Sequence, residues 1–401
     1  MKKNNILEKN HDLCTGCGIC EGVCPVDAIK IIKNEDGFYT PEIDNFLCIE
    51  CGICKKSCYK FEDNFIKSNT CIKSYSGKNI DLKILKNSTS GGISYELMKL
   101  CIDEGYKIVG VGYDYKEHIA KTYITQNKDE LEIFLGSKYM QSFTVDAYKD
   151  MLNNKELKYA IFGTPCQIYA IKKYAENNNL LDKFLFVDLF CHGCPSLNLW
   201  TKYLNKIRKK FKSNINFINF RSKIYGWHEQ AFLFKTENQY IKSNKSKNEF
   251  NEIFYNLDAL NRACYNCNLR SSLYYTDIRL GDYWGIKYNE DIEGVSAIIA
   301  VTTQGNYMLN KISKTINLKE ECIEEILKGQ SYGKIHVINE KRRNRILELL
   351  KDNNNIEKNY KEYVLLFSLK DRIKFKIKSL LKMLPQNYIN SIRKYIHKIK
   401  K

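Results

Sequence analysis

Residues 14–25 read CTGCGICEGVCP, and residues 48–59 read CIECGICKKSCY. The four cysteines of the first stretch recur in the second stretch at a constant offset of 34 residues. Both stretches have the spacing C-x2-C-x2-C-x3-C, in which one loop surrounds three corners of a 4Fe–4S cluster and the fourth cysteine ligates the neighbouring cluster. The repeat therefore predicts two 4Fe–4S clusters near the N-terminus.

The same spacing predicts which cysteines bind each cluster. The ligands of the first cluster are Cys14, Cys17, Cys20 and Cys58, and those of the second are Cys48, Cys51, Cys54 and Cys24. Between the stretches, strand-forming residues at Ala28–Ile32 and Phe38–Thr40 flank a turn at Asp36 and Gly37. Loop, short helix and hairpin together are typical of a ferredoxin-type module. Zinc also binds paired cysteines, but it takes four thiolates per ion and does not need two identical sets of four.

The two stretches differ at the residue after the last cysteine. Pro25 follows the first set, as the ferredoxin motif expects, whereas Tyr59 follows the second. The difference removes no ligand, so we expect it to affect local packing or the cluster potential.

Composition and charge limit the class of protein. With 401 residues and 44% hydrophobic content, the chain has room for two or three ordinary globular domains. Met1–Lys9 is polar, no signal-peptide segment follows it, and no run of about 18 apolar residues occurs. Cysteines at metal-binding spacing in such a chain are typical of a reducing compartment. We therefore expect a soluble, cytoplasmic protein.

Strand-like and helix-like patterns alternate from about residue 72 onward. Strands are predicted at Lys107–Tyr113, Tyr159–Phe162, Phe184–Leu189, Ile215–Phe220, Ala231–Lys235 and Ala297–Thr302. Helical periodicity covers Ile93–Cys101 and Ile168–Tyr174. The predicted fold class is α+β: a two-cluster ferredoxin-type domain at 1–65, an α/β mixed-sheet domain at 72–334 and a basic helical extension at 335–401.

The basic extension has its own pattern. The net charge of +18 is uneven, because residues 365–401 hold eleven Lys and Arg against Asp371 alone. Lys351–Asn359 has the composition of a linker, an apolar stripe follows over Leu366–Leu384, and a second helix is expected from Ile389. Such a basic amphipathic helix can lie on an anionic membrane surface at the inner face, or can pack on the body or on another subunit. It lacks interleaved aromatic residues, so we expect no nucleic acid partner.

Four further cysteines predict a third iron–sulfur site. They are Cys166, Cys191, Cys264 and Cys267. The first two follow predicted strands, where α/β domains place ligands, and the last two form a C-x2-C pair. Cysteines are also common as small buried hydrophobic residues, which is the alternative for this set. Cys194 lies close enough in sequence to replace Cys191 as a ligand.

Seven short stretches then follow one another in a definite order. They read NSTSGG (87–92), GSKYMQS (136–142), FGTPCQ (162–167), FCHGCPS (190–196), FRSKIYGW (220–227), CYNCNLR (264–270) and TDIRLGDYWG (276–285). Together they resemble the coenzyme F420-reducing hydrogenase/dehydrogenase beta-subunit family over roughly residues 72–330. The resemblance implies a flavoprotein domain that binds FAD and a 4Fe–4S cluster and exchanges electrons with an organic acceptor. Bacterial members with a fused ferredoxin domain lie near surface-polysaccharide genes, which implies a small-molecule or glycan-type substrate.

The residues expected to hold FAD lie in these stretches. They are Thr89, Ser90, Gly91, Gly92, Ser137, Lys138, Tyr139, Gln141, Gly163, Thr164, Gln167 and Asp282. The first four open a predicted helix, whose free N–H groups suit a phosphate, although plain helix capping is the alternative. His192, His228 and Lys138 are the candidate catalytic groups. A histidine beside a cluster can also serve only to hydrogen-bond a ligand.

The sequence therefore predicts an FAD- and 4Fe–4S-dependent oxidoreductase. Electrons from reduced ferredoxin, or from another redox protein, would cross the clusters to FAD and reach an organic substrate. Two alternatives stay open: a non-catalytic relay subunit of a larger redox complex, and an F420-type dehydrogenase in which electrons flow in the opposite direction.

Overall fold

The computed structural model describes residues 4–8, 13–61, 72–229, 231–243, 248–381 and 388. The C-terminal helix predicted from Ile389 lies outside these residues. The helices are α1 Ile19–Gly22, α2 Ile53–Ser57, α3 Leu82–Asn87, α4 Ile93–Asp103, α5 Val145–Asn153, α6 Pro165–Asn177, α7 Leu197–Phe211, α8 Glu249–Tyr255, α9 Thr303–Lys311, α10 Ile323–Gly329, α11 Glu340–Lys351, α12 Ile356–Leu365 and α13 Leu369–Leu381.

The strands alternate with these helices, as the sequence predicts. They are β1 Ile29–Lys33, β2 Tyr39–Ile43, β3 Lys73–Asn79, β4 Tyr106–Asp114, β5 Ile119–Thr125, β6 Ser142–Phe143, β7 Lys158–Phe162, β8 Phe184–Leu189, β9 Ile215–Ser222, β10 Ala231–Thr236, β11 Tyr240–Lys242, β12 Ile278–Asp282, β13 Ser296–Ala300 and β14 Ile316–Glu320. All six predicted strands are present, with ends that differ by one or two residues.

The N-terminal segment folds as a hairpin with two short helices. Strands β1 and β2 pair antiparallel, with Ile32 opposite Thr40, and the turn between them contains Gly37 at a φ of 82°. Gly18 and Gly52 cap α1 and α2 in the left-handed conformation, at equivalent positions of the two cysteine stretches. Glycine adopts this conformation without steric cost, so each cysteine loop can turn sharply into its helix.

The body is built on a mixed sheet. Among the described residues it has nine strands in the order β14-β3-β13-β12-β8-β7-β4-β5-β6. Its centre, β12-β8-β7-β4, is parallel, whereas β13, β3 and β14 on one side run antiparallel to their neighbours. The buried apolar residues of Phe184–Leu189 explain its central position, because a strand covered on both faces needs a nearly continuous apolar run. A separate antiparallel sheet, β11-β10-β9, packs beside it.

The N-terminal module is packed tightly onto this body. The Gln141 side chain accepts a hydrogen bond from Tyr39 N (2.8 Å) and donates one to Thr15 O (2.8 Å). Thr144 Oγ1 donates to Cys17 O at 2.8 Å. A Cβ atom at Gly16 would collide with the Gln141 amide, so this glycine permits the close approach. Side chains of the body therefore hydrogen-bond directly to the backbone of the first cysteine loop.

The C-terminal region is helical, as predicted. The prediction of a linker at Lys351–Asn359, however, is wrong for the second half of that range. Helix α12 begins within it, because the Asn355 side chain caps the helix by accepting from Lys358 N and because Ile356 is fully buried. None of the described helices is long and apolar enough to cross a membrane.

Candidate functional site

The first predicted cluster set comes together in the structure. Burial, with smaller contributions from the nearby charges of Cys58 and Cys166, raises the pKa of the Cys14 thiol to about 11. Burial likewise raises the pKa of Cys17 and Cys20 above the usual range, and Cys58 adds to both. Cys58 thus lies beside the three cysteines of the other stretch, which supports the predicted exchange of the fourth ligand.

The second set lies next to the first and nearer to solvent. Burial raises the pKa of Cys54, and the charges of Cys51 and Cys24 raise it further. Ala28 N donates to Cys24 Sγ at 3.3 Å, and Asn5 Nδ2 donates to Cys48 Sγ at 3.7 Å. Cys51 is exposed. N–H groups directed at cysteine sulfur suit a cluster, because they stabilise the negative charge that the thiolates and iron share.

The third set is gathered at the carboxyl edge of the parallel strands. Cys166 is the second residue of α6, directly after β7, and Cys191 follows β8. Burial raises the pKa of Cys264 above its usual range, with further repulsion from Cys191, Cys166 and Cys267. The structure therefore brings all four predicted ligands together at one place.

Cys194 is a neighbour of this set, but its position differs from that of Cys191. The charges of Cys166 and Cys267 both act on Cys191, whose pKa burial raises to about 12. Burial and the charges of Cys264, Cys191 and Cys166 likewise raise the pKa of Cys194, and its backbone N–H donates to Cys264 Sγ at 3.4 Å. An N–H donor beside a ligand sulfur is a supporting contact. The assignment of Cys191 as the ligand, with Cys194 as a supporting neighbour of Cys264, stays a prediction.

Among the described residues, no group of three or more His, Cys, Asp or Glu side chains is arranged around a position for a single metal ion.

The glycine-rich stretches meet beside the third set. Ser137 N donates to Thr89 Oγ1 at 2.8 Å, which joins the loop before α4 to the loop before β6. Lys223 Nζ donates to Ser90 O at 2.7 Å and so adds a third stretch. Arg221, two residues earlier, forms an ion pair with Asp282. Four of the seven stretches thus contact one another.

An aromatic and cationic group covers this junction. Trp227 and Trp284 stack with their ring centroids 5.5 Å apart, and the Arg221 guanidinium lies 4.8 Å from the Trp284 centroid. Trp227 Nε1 donates to Asp282 Oδ1 at 2.9 Å. Burial raises the pKa of Tyr139, which hydrogen-bonds with Tyr255 and Arg221. Planar rings with a fixed cation are the groups that commonly hold a planar cofactor.

Several polar atoms at the junction fit a ligand such as FAD. Within the described residues, Ser88 Oγ, Arg221 Nε and His192 Nε2 are buried without a hydrogen-bond partner. Buried polar atoms normally have partners, so these three have capacity for an acceptor or donor on a bound molecule. Gly136 has a φ of 77° and no neighbouring atom closer than 4.0 Å to a Cβ, which leaves space beside Ser137. The donor set therefore fits the cofactor that the resemblance implies.

The three candidate catalytic groups differ in their pKa and in their hydrogen-bond partners. Burial, with a smaller contribution from repulsion by His336, lowers the pKa of His192 to about 4, so its imidazole is neutral near pH 7. Burial lowers the pKa of Lys138 to about 7, and its Nζ donates to Ile133 O and Leu135 O, each at 3.0 Å. His228 contacts Tyr288 O at 3.0 Å and packs on Trp227.

Some predicted FAD residues have structural partners instead. The Gln141 amide holds the N-terminal module, as described above. Gln167 caps α6 by accepting from Thr164 N at 3.0 Å, and its Nε2 donates to Ser142 Oγ at 2.7 Å. Asp282, an expected FAD residue, is the last residue of β12 and pairs with Arg221.

Arg221, Lys223 and Tyr255 are site residues that the sequence reasoning missed. The first two stand in the quoted stretch FRSKIYGW, so the motif itself was the available signal. Tyr255 lies outside every quoted stretch, and only the packing of α8 places it here.

Comparison with known proteins agrees with this description. Residues 156–326 match the family described as the C terminus of the coenzyme F420 hydrogenase/dehydrogenase beta subunit. Residues 7–30 match the 4Fe-4S binding domain. The predicted resemblance is therefore confirmed, and the chain is an iron–sulfur redox protein related to this beta-subunit family. The matched range begins after the stretches NSTSGG and GSKYMQS.

The individual relatives have low sequence identity to this chain. The chain is 27% identical over 192 residues to one of the subunits of the F(420)H(2) dehydrogenase of Methanosarcina mazei, across 45% of this chain and 54% of the relative. It is 28% identical over 240 residues to an uncharacterised protein of Methanocaldococcus jannaschii, across 51% and 65% respectively. The chain thus spans less than two thirds of each relative. A chain of the F420-reducing [NiFe] hydrogenase complex from Methanosarcina barkeri is 20% identical with a TM-score of 0.43, covering 76% of this chain and 97% of that chain.

The two neighbouring cysteines of the third set give a direct test. Cys191→Ser should lower the iron content by about four atoms per chain, because one 4Fe–4S cluster loses a ligand. Cys194→Ser is the matched control and should retain the wild-type iron content. Iron is counted on anaerobically purified protein. Loss of iron from Cys194→Ser alone would show that the ligand assignment is reversed.

Proposed function

We propose that this chain is an oxidoreductase that carries electrons through three 4Fe–4S clusters to FAD and on to an organic substrate. The observation that supports it best is the continuity of the predicted sites. Cys14 of the first set is within electrostatic reach of Cys166 in the third set. From the third set, His192 contacts Tyr255 (ring centroids 5.5 Å apart), which in turn meets Tyr139 at the junction of the glycine-rich stretches.

The proposed FAD residues divide by chemistry. The start of α4 at Gly92 and the small residues Gly136 and Ser137 suit the pyrophosphate, because N–H groups at a helix start attract anions, whereas Gly91 N donates to Ser296 Oγ at 2.9 Å. Arg221 and Trp284 suit the ring system. When bound, FAD accepts single electrons from a cluster and transfers them as a pair.

Lys138 would supply positive charge to the cofactor. Its pKa near 7 leaves the ammonium partly deprotonated around neutral pH in the free protein. A bound anion favours the charged form and raises that pKa. Binding of an anionic group should therefore be strongest below pH 7 and weaken as pH rises above it.

The second set is the proposed point of contact with ferredoxin or another redox protein. Cys51 is exposed, and the surrounding side chains of Phe46, Leu47, Ile49 and Ile53 are exposed apolar groups. Exposed apolar residues close together are typical of interaction sites. An electron donor that docks here would be separated from the second cluster by only a thin layer of protein.

The direction of flow and the substrate are part of the proposal. We favour reduced ferredoxin as the donor and a small-molecule or glycan-type acceptor, with surface-polysaccharide metabolism as one setting. A relay subunit without flavin, or a dehydrogenase that passes electrons outward, would use the same clusters.

The composition of the purified protein tests this proposal. We expect about twelve irons and one FAD per chain after anaerobic purification, because each of three clusters holds four irons. The measurements are iron determination and flavin release by acid. About eight irons without flavin would contradict the enzyme and leave the relay subunit.

The basic C-terminal helix α13 supports a second proposal, peripheral contact with an anionic membrane. Its apolar side chains face solvent with exposed fractions of 52% to 67%; they are Leu369, Ile373, Ile377 and Leu380. Basic residues lie on the same helix, and each contributes about 1 kcal/mol near an anionic lipid surface. Phe375 packs on Phe367 (ring centroids 4.9 Å apart), which fixes the helix to the body.

Vesicle binding tests this contact. The wild-type protein should sediment with vesicles of phosphatidylcholine and phosphatidylglycerol, but not with phosphatidylcholine alone, and salt should weaken the binding. Ile373→Ser/Ile377→Ser should abolish it, because the apolar stripe is lost. Val337→Ser, at an apolar residue that is 84% exposed outside α13, is the control.

A contradictory result would be equal sedimentation of the double variant and the wild type, or no wild-type binding to anionic vesicles. If the double variant instead converts a dimer to a monomer, the stripe is a subunit interface.

A further inference from the structure

The residue after the second cysteine stretch is buried at a junction. Tyr59 packs edge-on against Tyr169, with ring centroids 5.4 Å apart, and its hydroxyl donates to Thr15 Oγ1 at 3.4 Å. Pro25, its counterpart in the first stretch, is exposed. The internal repeat therefore has two equivalent positions with opposite environments.

Tyr59 lies among cysteine ligands of two predicted 4Fe–4S clusters. One packed group of side chains contains Tyr59, and the partly buried Cys17, Cys166 and Cys267 pack against this same group. Cys17 belongs to the first set and the other two to the third. Burial raises the pKa of Tyr59 well above its usual value, so the phenol stays protonated and neutral.

Helix α6 presents the complementary surface. Cys166 lies in its first turn, Tyr169 follows three residues later, and Lys173 lies four residues beyond that. Residues at this spacing share one helix face. Lys173 Nζ donates to Cys58 O at 3.4 Å, so the end of this face is attached to the first set. One helix therefore contacts the ligands of both predicted clusters, with Tyr59 packed between them.

We infer that Tyr59 is a positioning residue that sets the first cluster against the third cluster for electron transfer. The inference rests on the proposed function, since it requires a third cluster. With both clusters bound, one electron would pass from the reduced first cluster to the oxidised third cluster, with no bond or proton exchanged. Tyr59 carries no electron itself. A proline here would lack the ring that reaches Tyr169, and so would leave the two sites without this spacer.

The same geometry orders the centres. Cys54 of the second set and Cys20 of the first set belong to one packed group, whereas Cys17 of the first set packs against the same group as Cys166 and Cys267 of the third. The order is therefore second cluster, first cluster, third cluster.

Two substitutions in the full-length, cluster-loaded protein separate positioning from folding. Tyr59→Phe keeps the ring and should behave as the wild type. Tyr59→Leu keeps an apolar side chain but loses the aromatic spacer. Pro25→Ala, at the symmetric position, is the control. Iron content, the magnetic interaction between reduced first and third clusters in electron paramagnetic resonance, and the rate of third-cluster reduction after mixing with dithionite are measured for each protein.

We expect Tyr59→Leu to retain its iron, to show an altered magnetic interaction, and to reduce the third cluster several-fold more slowly, because the rate of electron tunnelling falls steeply as the distance between two centres grows. Tyr59→Phe and Pro25→Ala should match the wild type in all three measurements.

Three results would overturn the inference: wild-type rates in Tyr59→Leu, an equal defect in Pro25→Ala, or loss of first-set iron from Tyr59→Leu, which would make the residue purely structural. Failure of the proposed function is recognised separately, because the wild-type protein would then contain only about eight irons.

Discussion

Buried cysteine sulfur is the constraint on which this structure depends. Removal from water disfavours the charged thiolate, and the pKa of Cys14 and Cys191 rises to about 11 and about 12 as a result. A thiol with such a pKa is protonated at neutral pH and is a poor ligand. Bound iron favours the thiolate over the protonated thiol, because a metal ion deprotonates the thiols that coordinate it. Folding and cluster assembly are therefore expected to be coupled.

The requirement to shield these sulfurs also explains how the N-terminal module meets the body. Gln141 and Thr144 bind the backbone of the first cysteine loop, and Tyr59 closes the space between this loop and α6. Each contact involves a cysteine of the first set or the residue next to one. The same contacts bring two cluster sites near one another. The interface between the N-terminal module and the body therefore both shields the cysteine sulfurs and sets the path for electron transfer.

The sequence was most informative where the chemistry imposes a spacing. The cysteine repeat predicted the sets that the structure brings together, and the apolar run Phe184–Leu189 predicted the central strand β8 to the residue. Neither the strand order nor the packing of β3 and β14 could be predicted, because these depend on contacts between residues far apart in the chain. Side-chain roles were harder still. Gln141 and Gln167 stand in the expected stretches, but one holds the N-terminal module and the other caps a helix. Amides serve as backbone partners as readily as cofactor ligands, so composition does not separate the two roles.

In the proposed electron path, the third cluster lies between the ferredoxin-type module and the flavin. Rapid mixing of the protein with reduced ferredoxin, followed by iron–sulfur and flavin absorbance, tests it most directly when the wild type is compared with Cys264→Ser. We expect that the wild-type clusters are reduced before the flavin, and that in Cys264→Ser electrons reach the module but the flavin stays oxidised. Flavin reduction at the wild-type rate in Cys264→Ser would contradict it.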